Sequence, residues 1–395
     1  MSSLNLNPVI VIVAFNRPES LTRLLESINQ ANYKLSKNVN LVISIDFQDS
    51  EKHDNVVEIA RNFNWKYGQK EIITHTQNIG LRTHIISCGD LSLKYGSVII
   101  LEDDLIVSPN FYNFALASAN AYYHDNNIAG ISLYAYEYEE LGWFKFYPCK
   151  KNGDTFFMQW ASSWGQLWTD EQWSKFKQWY KNNPNINKLN IPDRVKNWRK
   201  SWKKFYIAYL VETNRFFVYP YESFTTLKDG GGIHAKEDSR QNFVKLNAGN
   251  DLQKFQFSRF KEEGLSYDAF FQPTNKKVFI EKLNKAVEIE FDLFGTKEIK
   301  NVKADYLLSM KKTKRLIQGY SHIFIPYEKN LELNQKGDIF NLSLKQDFFE
   351  KQRVYEKGRK LYNIRKIYSI KEMVIVVFYR TLFKLFSKIL NKNLS

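Results

Sequence analysis

Three consecutive acidic residues, Glu102, Asp103 and Asp104, follow an apolar run that is typical of a buried strand. Adjacent carboxylates repel one another unless a cation neutralises them, and a divalent cation prefers such hard oxygen ligands. A diphosphate group can complete the shell of that cation. The alternative is a solvated loop at a strand end, without chemistry. We favour metal-assisted use of a nucleotide substrate, because nucleotides bind where the strands of an α/β sheet end.

Strands and helices alternate along the first third of the chain, which must position these acids. Continuous runs rich in β-branched residues occupy 8–15, 41–45, 71–76 and 97–101, as expected of strands buried on both faces of a parallel sheet. Apolar residues return at helical spacing between them. This order predicts an α/β fold with a doubly wound sheet and right-handed crossovers. Further polar and glycine residues fall at the same strand ends: Asn16, Arg17, Asp46, Asn78 and Gly80.

The rest of the chain divides into two further regions and a tail. Residues 126–245 are rich in Trp and Tyr, and their patterns predict aromatic helices over 169–182 and 193–213. Residues 276–342 contain short alternating runs separated by turn residues, which predict a small β-rich module. The predicted organisation is a first domain over 1–245 with halves 8–125 and 126–245, a β-rich accessory module over 246–345, and a tail over 346–395.

Positive charge is concentrated in the tail. The net charge is +15, and residues 351–395 hold twelve Lys or Arg and two Glu, a net charge of +10. The rest of the chain carries only about +5, which argues against nucleic-acid binding as the function of the whole. Two cysteines, Cys88 and Cys149, exclude a disulfide framework and a cysteine-based zinc site, and they fit a reducing compartment. We expect neither a signal peptide nor a clean membrane span.

The tail contains a predicted amphipathic C-terminal helix over 373–390. Arg380, Lys384 and Lys388 recur every four residues and form one polar stripe, while the opposite face consists of Leu, Phe and Ile. Such a helix lies in the interface of a membrane rather than crossing it. Basic residues upstream would be attracted to an anionic leaflet. The alternative is a helix that docks on the protein's own core or on a partner subunit.

The acidic segment resembles a known family. Residues 101–105 and 108–111 are similar to the metal-binding segment of GT-A glycosyltransferases, as in N-acetylglucosaminyltransferase I and its bacterial relatives that build capsular and lipopolysaccharide sugars. The resemblance spans about residues 8–245 and includes 164–165 and 232–234. It implies a GT-A fold with a mixed sheet, a nucleoside-diphosphate sugar donor (UDP-linked), Mn²⁺ or Mg²⁺, inversion at the sugar, and a glycan or lipid-linked acceptor. A lipid-linked acceptor agrees with the amphipathic tail, from which we expect a peripheral location on the cytoplasmic face of the inner membrane.

The resemblance implies a role for each strand-end residue. Asn16, Arg17 and Asp46 match positions that hold the base and ribose, and Asn78 and Gly80 match the donor-side loop. Glu102 and Asp103 would hold the ribose and a metal-bound water. Asp104 is the expected metal ligand, and His234 matches a histidine near the leaving group.

Several of these residues have simpler interpretations. Arg17 could be a solvated loop cation and Asp46 a helix N-cap. Asn78 and Gly80 could serve turn geometry, because both residue types tolerate positive φ. His234 could be structural, although the three preceding glycines favour a contact with metal or phosphate.

The acceptor side and the catalytic base are less complete. Trp164 and Gly165 match the acceptor-lining segment, whereas Trp160 and Trp168 are expected in the core. An inverting transferase needs a carboxylate that deprotonates the acceptor. The resemblance places that acid just after Trp202, where this chain has Lys203 and Lys204. Three explanations remain open. In the first, an acid elsewhere serves as the base, with Asp229, Asp193 and Glu212 as candidates. In the second, Lys203 or Lys204 binds an anionic acceptor. In the third, the chain is a non-catalytic nucleotide- or sugar-binding component of a membrane assembly. We prefer the first, with Asp229 and Asp193 as the leading candidates.

Overall fold

The structure, a computed structural model, describes residues 6–151, 153–182, 184–227, 243–249, 254–260 and 265–350, together with 374, 375, 377–379 and 382. The strands among these residues are β1 Val9–Ala14, β2 Leu41–Ile45, β3 Lys70–Thr74, β4 Ser97–Glu102, β5 Leu105–Val107, β6 Ile128–Ser132, β7 Thr155–Met158, β8 Gln166–Thr169, β9 Phe216–Pro220, β10 Thr225–Leu227, β11 Ser266–Tyr267, β12 Lys276–Ile280, β13 Lys285–Asp292, β14 Tyr306–Ser309, β15 Gln318–Tyr320 and β16 Phe340–Leu344. The helices are α1 Pro18–Asn29, α2 Glu51–Asn62, α3 Gly80–Tyr95, α4 Phe111–Tyr122, α5 Asp170–Lys181, α6 Asp193–Lys196, α7 Lys203–Glu212 and α8 Lys329–Glu332.

The largest element is a mixed sheet with the strand order β11-β7-β9-β6-β8-β4-β1-β2-β3. Strands β4, β1, β2 and β3 run parallel, as the four apolar runs predicted. Strand β8 then pairs antiparallel with β4, and β6 antiparallel with β8. The predicted α/β fold with a large mixed sheet is confirmed.

Helices cover both faces of the parallel half. The side chains of β1 alternate between two cores: Val9, Val11 and Val13 face one, and Ile10 and Ile12 the other. Helices α3, α5 and α7 contribute to the first core, and α1, α2 and α4 to the second. This two-sided burial explains why β1 is apolar throughout rather than alternating.

One of the two predicted aromatic helices is confirmed, and the other is wrong. The helix expected over 169–182 is α5, which starts with a capping box between Thr169 and Gln172. The single helix expected over 193–213 is wrong, because α6 ends at Lys196 and α7 begins at Lys203. In the intervening segment the ring of Trp198 packs edge-on against Trp160 with centroids 6.0 Å apart. Tertiary packing of this tryptophan therefore accompanies the break in the helix.

A second sheet forms the accessory region. Its order is β12-β13-β14-β16-β15, with β13 and β14 parallel and the other pairs antiparallel. Its strands lie within the range predicted for the β-rich module. The short strand β11, also in that range, pairs instead with β7 of the large sheet. The exact domain limits remain predictions.

Buried charges connect the two sheets. The ammonium group of Lys297 is 4% exposed and lies 2.6 Å from Asp268 Oδ2 and 3.0 Å from Glu290 Oε1. Asp268 follows β11 of the large sheet, whereas Glu290 lies in β13 of the small one. Lys297 therefore joins the accessory sheet to the end of the large sheet by one buried cation.

Cys88 and Cys149 are both buried and unpaired, in agreement with the expectation that no disulfide framework exists. Most of the predicted tail helix lies outside the described residues. Residues 374, 375, 377, 378 and 379 are helical and exposed. None of the helices in the described ranges is long and apolar enough to cross a membrane.

Candidate active site

The acidic triplet lies at the carboxyl end of β4, in the middle of the large sheet. Glu102 is the last residue of β4 and lies opposite Val13 of β1. The backbone N–H of Asp103 continues that ladder by donating to the Val13 carbonyl at 3.1 Å. A tight turn at Asp103 and Asp104 then leads directly into β5. The apolar run thus places three carboxylates at the carboxyl ends of the parallel strands, where the sequence predicted them.

Arg17 faces this triplet from the loop between β1 and α1. Its guanidinium donates to Asp104 Oδ2 at 3.0 Å and also pairs with Asp103 Oδ1. The side chain of Arg17 is 25% exposed, and those of Asp103 and Asp104 are 1% and 17% exposed. Burial lowers the pKa of Arg17, but the two aspartates more than offset this and the pKa is raised. Arg17 is therefore held in an ion-paired cluster rather than free in solvent.

Two of the three acids, Glu102 and Asp103, have raised pKa values despite Arg17. Burial raises the pKa of Glu102 to about 8, and the charge of Asp104 adds to this effect. Burial likewise raises the pKa of Asp103 to about 6, with Arg17 acting in the opposite direction. A carboxylate whose pKa is raised this far favours any ligand that brings positive charge.

Two oxygens of the triplet are available for such a ligand. Asp103 Oδ2 and Asp104 Oδ1 are buried and have no hydrogen-bond partner. Leaving a buried charged oxygen without a donor is costly, and divalent cations bind oxygens of this kind. The donor set therefore fits Mn²⁺ or Mg²⁺. Within the described ranges, no group of three His, Cys, Asp or Glu residues is placed to hold a metal ion.

Asp46 holds the loop that follows β3. Its Oδ1 accepts from the Phe47 and Ile79 backbone amides at 2.9 Å each, and its Oδ2 accepts from Gly80 N–H at 3.0 Å. Asp46 therefore caps the first turn of α3 across more than 30 residues, while Ser50 caps α2. These contacts agree with the alternative interpretation of Asp46 as a helix cap. The helix that it caps is α3.

The neighbouring loop residues are positioned by turn geometry. Asn78 donates to the Phe47 carbonyl at 3.0 Å, and Asn16 donates to the side chain of Gln48. Gly80 has φ +76°, which L side chains adopt at a cost, and a Cβ there would meet open space. Glycine is thus required at position 80 by backbone conformation. These loops bring Asn16, Asp46, Asn78 and Gly80 to one end of the sheet.

A buried histidine joins helix α3 to strand β2 beside these loops. His84 of α3 is 2% exposed, and its Nε2 lies 2.7 Å from Ser44 Oγ of β2. Burial lowers the pKa of His84 to about 4, against an opposing effect of Asp46. His84 is therefore neutral at physiological pH and ties α3 to the strand that ends at Asp46.

Trp164 and Gly165 contact strand β10, which pairs with the strand that follows the acidic triplet. Thr225 Oγ1 donates to the Trp164 carbonyl at 2.6 Å, and Thr225 lies opposite Val107 of β5. Gly165 has φ +92°, and a Cβ there would lie 2.8 Å from Thr225 Cγ2. The expected acceptor segment is thus joined to the strand that leaves the acidic triplet.

Trp160 and Trp168 are fully buried, as expected of core residues. Trp168 lies in β8 and Trp160 in the segment after β7, so the two side chains do not belong to one helix. Trp164 is only partly buried and packs on Tyr134 with ring centroids 4.8 Å apart.

Lys203 lies in an aromatic cage beside Trp164. Its ammonium group is 2.7 Å from Glu140 Oε1 and 3.1 Å from Tyr136 Oη. Four aromatic rings surround it within 5.0–5.6 Å: Tyr136, Trp160, Trp164 and Trp198. Burial lowers the pKa of Lys203, while the charges of Glu140 and Glu102 act to raise it. Lys203 and Glu140 therefore form a buried ion pair within electrostatic reach of the acidic triplet.

Glu140 was missed by sequence reasoning. It lies 63 residues before Lys203, next to Glu139, and no local spacing distinguishes the two acids. The structure shows that the two side chains have different partners. Glu139 accepts hydrogen bonds from the backbone amides of Leu141, Gly142 and Phe144, whereas Glu140 faces Lys203.

The candidate bases have different locations. Asp193 opens α6, is 60% exposed and pairs with Lys196 at 3.3 Å. Glu212 ends α7, and it accepts from Trp179 Nε1 at 2.6 Å. Because α7 starts at Lys203, a helical rise of about 1.5 Å per residue puts Glu212 roughly 14 Å further along the axis. Asp229 and His234 lie outside the described residues. The described chain before them ends at Leu227, opposite Leu105 and next to the acidic triplet.

Comparisons with known proteins give structural likeness only. No family model and no curated protein matches the sequence. Among solved structures, the 1–349 fragment of S. aureus TarS is 15% identical, with a TM-score of 0.35 over 55% of this chain and 59% of that one. GalNAc-T7 with UDP, GalNAc and Mn²⁺ is 14% identical, with a TM-score of 0.37 over 55% of this chain and 43% of that one. The mannosyltransferase PcManGT of Pyrobaculum calidifontis, with GDP-Man and Mn²⁺, is 12% identical, with a TM-score of 0.31 over 45% and 48% of the two chains.

These likenesses are distant. The match spans less than two thirds of each of these chains, identities do not exceed 15%, and TM-scores are below 0.5. At this distance the likenesses concern the fold and carry no information about function.

Proposed function

We propose that this protein is a metal-dependent glycosyltransferase of the GT-A type. It moves a sugar from a nucleoside-diphosphate sugar, UDP-linked, to a glycan or lipid-linked acceptor, with inversion, in bacterial surface polysaccharide synthesis. The observation that supports this most strongly is the buried carboxylate cluster at the end of β4, with two unpartnered oxygens on Asp103 and Asp104. The sequence resemblance to GT-A enzymes supplies the rest of the proposal.

The metal site would combine Asp104 with His234, and Glu102 and Asp103 would hold ribose and metal-bound water. Bound Mn²⁺ or Mg²⁺ would neutralise the charge that develops on the departing nucleoside diphosphate. Arg17 keeps Asp103 and Asp104 together before the donor arrives, because it pairs with both.

Donor and acceptor would bind on two sides of the triplet. Asn16, Arg17 and Asp46 follow β1 and β2 and would hold the base and ribose, while Asn78 and Gly80, after β3, would form the donor-side loop. Asp46 would act partly through the backbone of the donor-side loop, since its carboxylate already accepts three amides.

Trp164 and Gly165 would line the acceptor, with Lys203 at the edge of that surface. An aromatic face suits the C–H face of a sugar ring. The tail would place the enzyme peripherally on the cytoplasmic face of the inner membrane, near lipid-linked acceptors. Asp229 and Asp193 remain proposed bases from the sequence.

Nucleotide binding with and without metal tests the proposal. Titration calorimetry with UDP and GDP should give heats of binding that require Mn²⁺ and disappear with a chelator. Asp104→Asn should lose most of this affinity and keep the fold. The matched control is Asp338→Asn, an exposed aspartate of the accessory region. Donor hydrolysis by the wild-type protein with Mn²⁺ would then establish transfer chemistry. Equal affinity in Asp104→Asn and wild type would refute the proposed metal role.

The second candidate is a non-catalytic nucleotide- or sugar-binding component of a membrane assembly. Lys203 favours it, because it stands where the resemblance expects an acid. This candidate predicts metal-dependent nucleotide binding with no hydrolysis or transfer of any donor. The two functions therefore give the same binding result and opposite turnover results.

A further inference from the structure

The ion pair between Lys203 and Glu140 supplies a carboxylate beside a position where the sequence has lysine. Lys203 begins α7, and Glu140 comes from the segment between β6 and β7. Their charged atoms are 2.7 Å apart, with side chains 7% and 12% exposed. A carboxylate from a different element therefore lies within one hydrogen bond of the position at which the resemblance expects the base.

We propose that Glu140 is the general base that accepts the proton of the acceptor hydroxyl, and that Lys203 is its positioning residue. This inference rests on the proposed glycosyltransferase function. Glu140 takes the place of Asp229 and Asp193, the bases proposed from the sequence, because folding brings its carboxylate next to Lys203.

The position of the cage supports access to the donor. Trp164 lies 5.5 Å from the Lys203 ammonium, measured to the ring centroid, and the Trp164 carbonyl is bonded to Thr225. Strand β10, which contains Thr225, pairs with β5 immediately after Asp104. Glu140 is thus linked to the strand that follows the acidic triplet through Lys203, Trp164 and Thr225, and the charges of Lys203 and Glu102 act on each other.

The carboxylate of Glu140 retains capacity to accept a proton. Lys203 at 2.7 Å and Trp160 Nε1 at 3.4 Å both donate to the same oxygen, Oε1. An ionised carboxylate has two oxygens and about four lone-pair directions. The contacts to Oε1 fix the group's orientation, as a base requires, without using all of its acceptor sites.

Structural stabilisation alone is a weak explanation for this pair. Removing two charges from water costs several kcal/mol, and replacing a buried pair by apolar side chains is often neutral or stabilising. The surrounding cage is already aromatic, so an apolar residue at position 203 would suit it. A lysine and a glutamate at this depth are better explained by a requirement for the carboxylate.

The proposed step conserves atoms and electrons. The acceptor O–H proton passes to a carboxylate oxygen of Glu140, and the acceptor oxygen forms a bond to the anomeric carbon of the donor. The bond between that carbon and the phosphate oxygen breaks, and its electron pair leaves with the nucleoside diphosphate. In the slow hydrolysis of the donor, water takes the place of the acceptor.

The test compares UDP release from a UDP-sugar with nucleotide affinity. UDP-GlcNAc, UDP-glucose and UDP-galactose are supplied with Mn²⁺, and UDP affinity is measured by calorimetry. Glu140→Gln should release UDP about 10²–10⁴-fold more slowly while binding UDP as the wild type does. Glu137→Gln, an exposed glutamate of the same segment, is the matched control and should retain the wild-type rate.

Paired variants separate a base from a structural ion pair. Glu140→Gln and Lys203→Met each leave one buried charge unpaired, so each should lower the urea midpoint of unfolding. The double variant should recover most of that midpoint and still release UDP slowly. Lys203→Met should lower kcat with little change in KM for the donor, and Lys203→Arg should recover part of kcat.

Three results would overturn the assignment. Glu140→Gln could hydrolyse at the wild-type rate, or the double variant could recover hydrolysis together with stability. Lys203→Met could also abolish turnover while Glu140→Gln retains it, which would make the lysine the reacting group. In each case the proposed function stands, because nucleotide binding and wild-type turnover are measured separately. A wild-type protein that hydrolyses no donor overturns both proposals.

Discussion

The guanidinium of Arg17 and the carboxylate of Asp104 are joined by a 3.0 Å hydrogen bond across 87 residues of sequence. Arg17 also contacts Asp103. It therefore occupies one oxygen of each aspartate in the cluster where a metal ion would bind. The protein therefore carries its own cation at the site before any donor binds.

Replacing Arg17 should make the site more dependent on added metal. Arg17→Gln leaves Asp103 and Asp104 without their cation, so the free energy of unfolding without metal should fall by about 1–3 kcal/mol. Mn²⁺ should then raise the melting temperature more in the variant than in the wild type. Differential scanning fluorimetry with and without Mn²⁺ measures both effects. Arg61→Gln, on the exposed surface of α2, is the control, and an equal Mn²⁺ shift in all three proteins would contradict the prediction.

Gly165 should be intolerant of a methyl group for two separable reasons. Its φ of +92° disfavours alanine by about 1–2 kcal/mol, and the new Cβ would also press on Thr225 Cγ2. Gly165→Ala should thus cost more than Gly96→Ala, whose φ is +79° but whose Cβ meets open space. Thr225→Ser removes the clashing methyl and keeps the hydroxyl, so the double variant should recover part of the loss. Urea unfolding measures each step, and equal costs for the two glycine variants would exclude the contact with Thr225.

His84 should make the fold sensitive to acid. Its pKa is about 4 in the folded protein, against an ordinary value near 6.5. Above pH 6.5 the histidine is neutral in both states. As the pH falls from 6.5 to 4, the unfolded chain binds a proton that the folded protein refuses, so the free energy of unfolding falls by about 3 kcal/mol over this window.

Urea unfolding at pH 7 and pH 4.5 isolates the contribution of His84. His84→Gln should unfold with a smaller loss of stability between the two pH values than the wild type. His124→Gln, an exposed histidine after α4, is the control and should follow the wild type. If the wild type and His84→Gln lose the same stability on acidification, the buried neutral histidine is not responsible.

Lys297 should be important for the connection between the two sheets. Lys297→Met removes the cation between Asp268 and Glu290 and leaves two buried carboxylates unpaired, which should cost about 3–5 kcal/mol. Lys300→Met removes a surface pair with Glu298 and should cost under about 1 kcal/mol. Limited proteolysis and urea unfolding compare the two variants. Similar stability of both would show that the buried pair contributes little.

The tail should carry membrane attachment. Removing residues 371–395 should release the protein from anionic phosphatidylserine vesicles, because it removes the apolar face and part of the basic charge. Nucleotide binding should be unchanged. Sedimentation with anionic and with neutral vesicles measures the first effect, and calorimetry the second. Equal sedimentation of the truncated and full-length chains would favour the tail as a packing element.

The parallel half of the fold could be predicted because its signals are local. The run 8–15 is buried on both faces, and this makes it continuous in sequence. Helix α5 could be predicted from its local sequence, because the capping box at Thr169 marks its start. The gap between α6 and α7 could not be predicted in this way, because it is associated with the packing of Trp198 against Trp160.

The candidate site shows the same division. The acids at 102–104 follow an apolar strand, so their place at the sheet edge could be predicted. The partners of Arg17 and Lys203 could not, because those ion pairs join residues 63 to 87 positions apart. The burial of Trp160 and Trp168 was correctly predicted, but the place of Trp168 in β8 depends on the pairing of the sheet.

The contacts of Asp46 have an evolutionary consequence. Its carboxylate recognises the main-chain amides of Ile79 and Gly80, not their side chains. Position 79 can therefore exchange residues without losing its bond to Asp46, whereas position 80 is restricted by its φ of +76°. Random mutagenesis followed by selection for a folded protein should leave position 79 diverse and retain aspartate at 46 and glycine at 80. The loop between β3 and α3 would thus drift in sequence while keeping its shape.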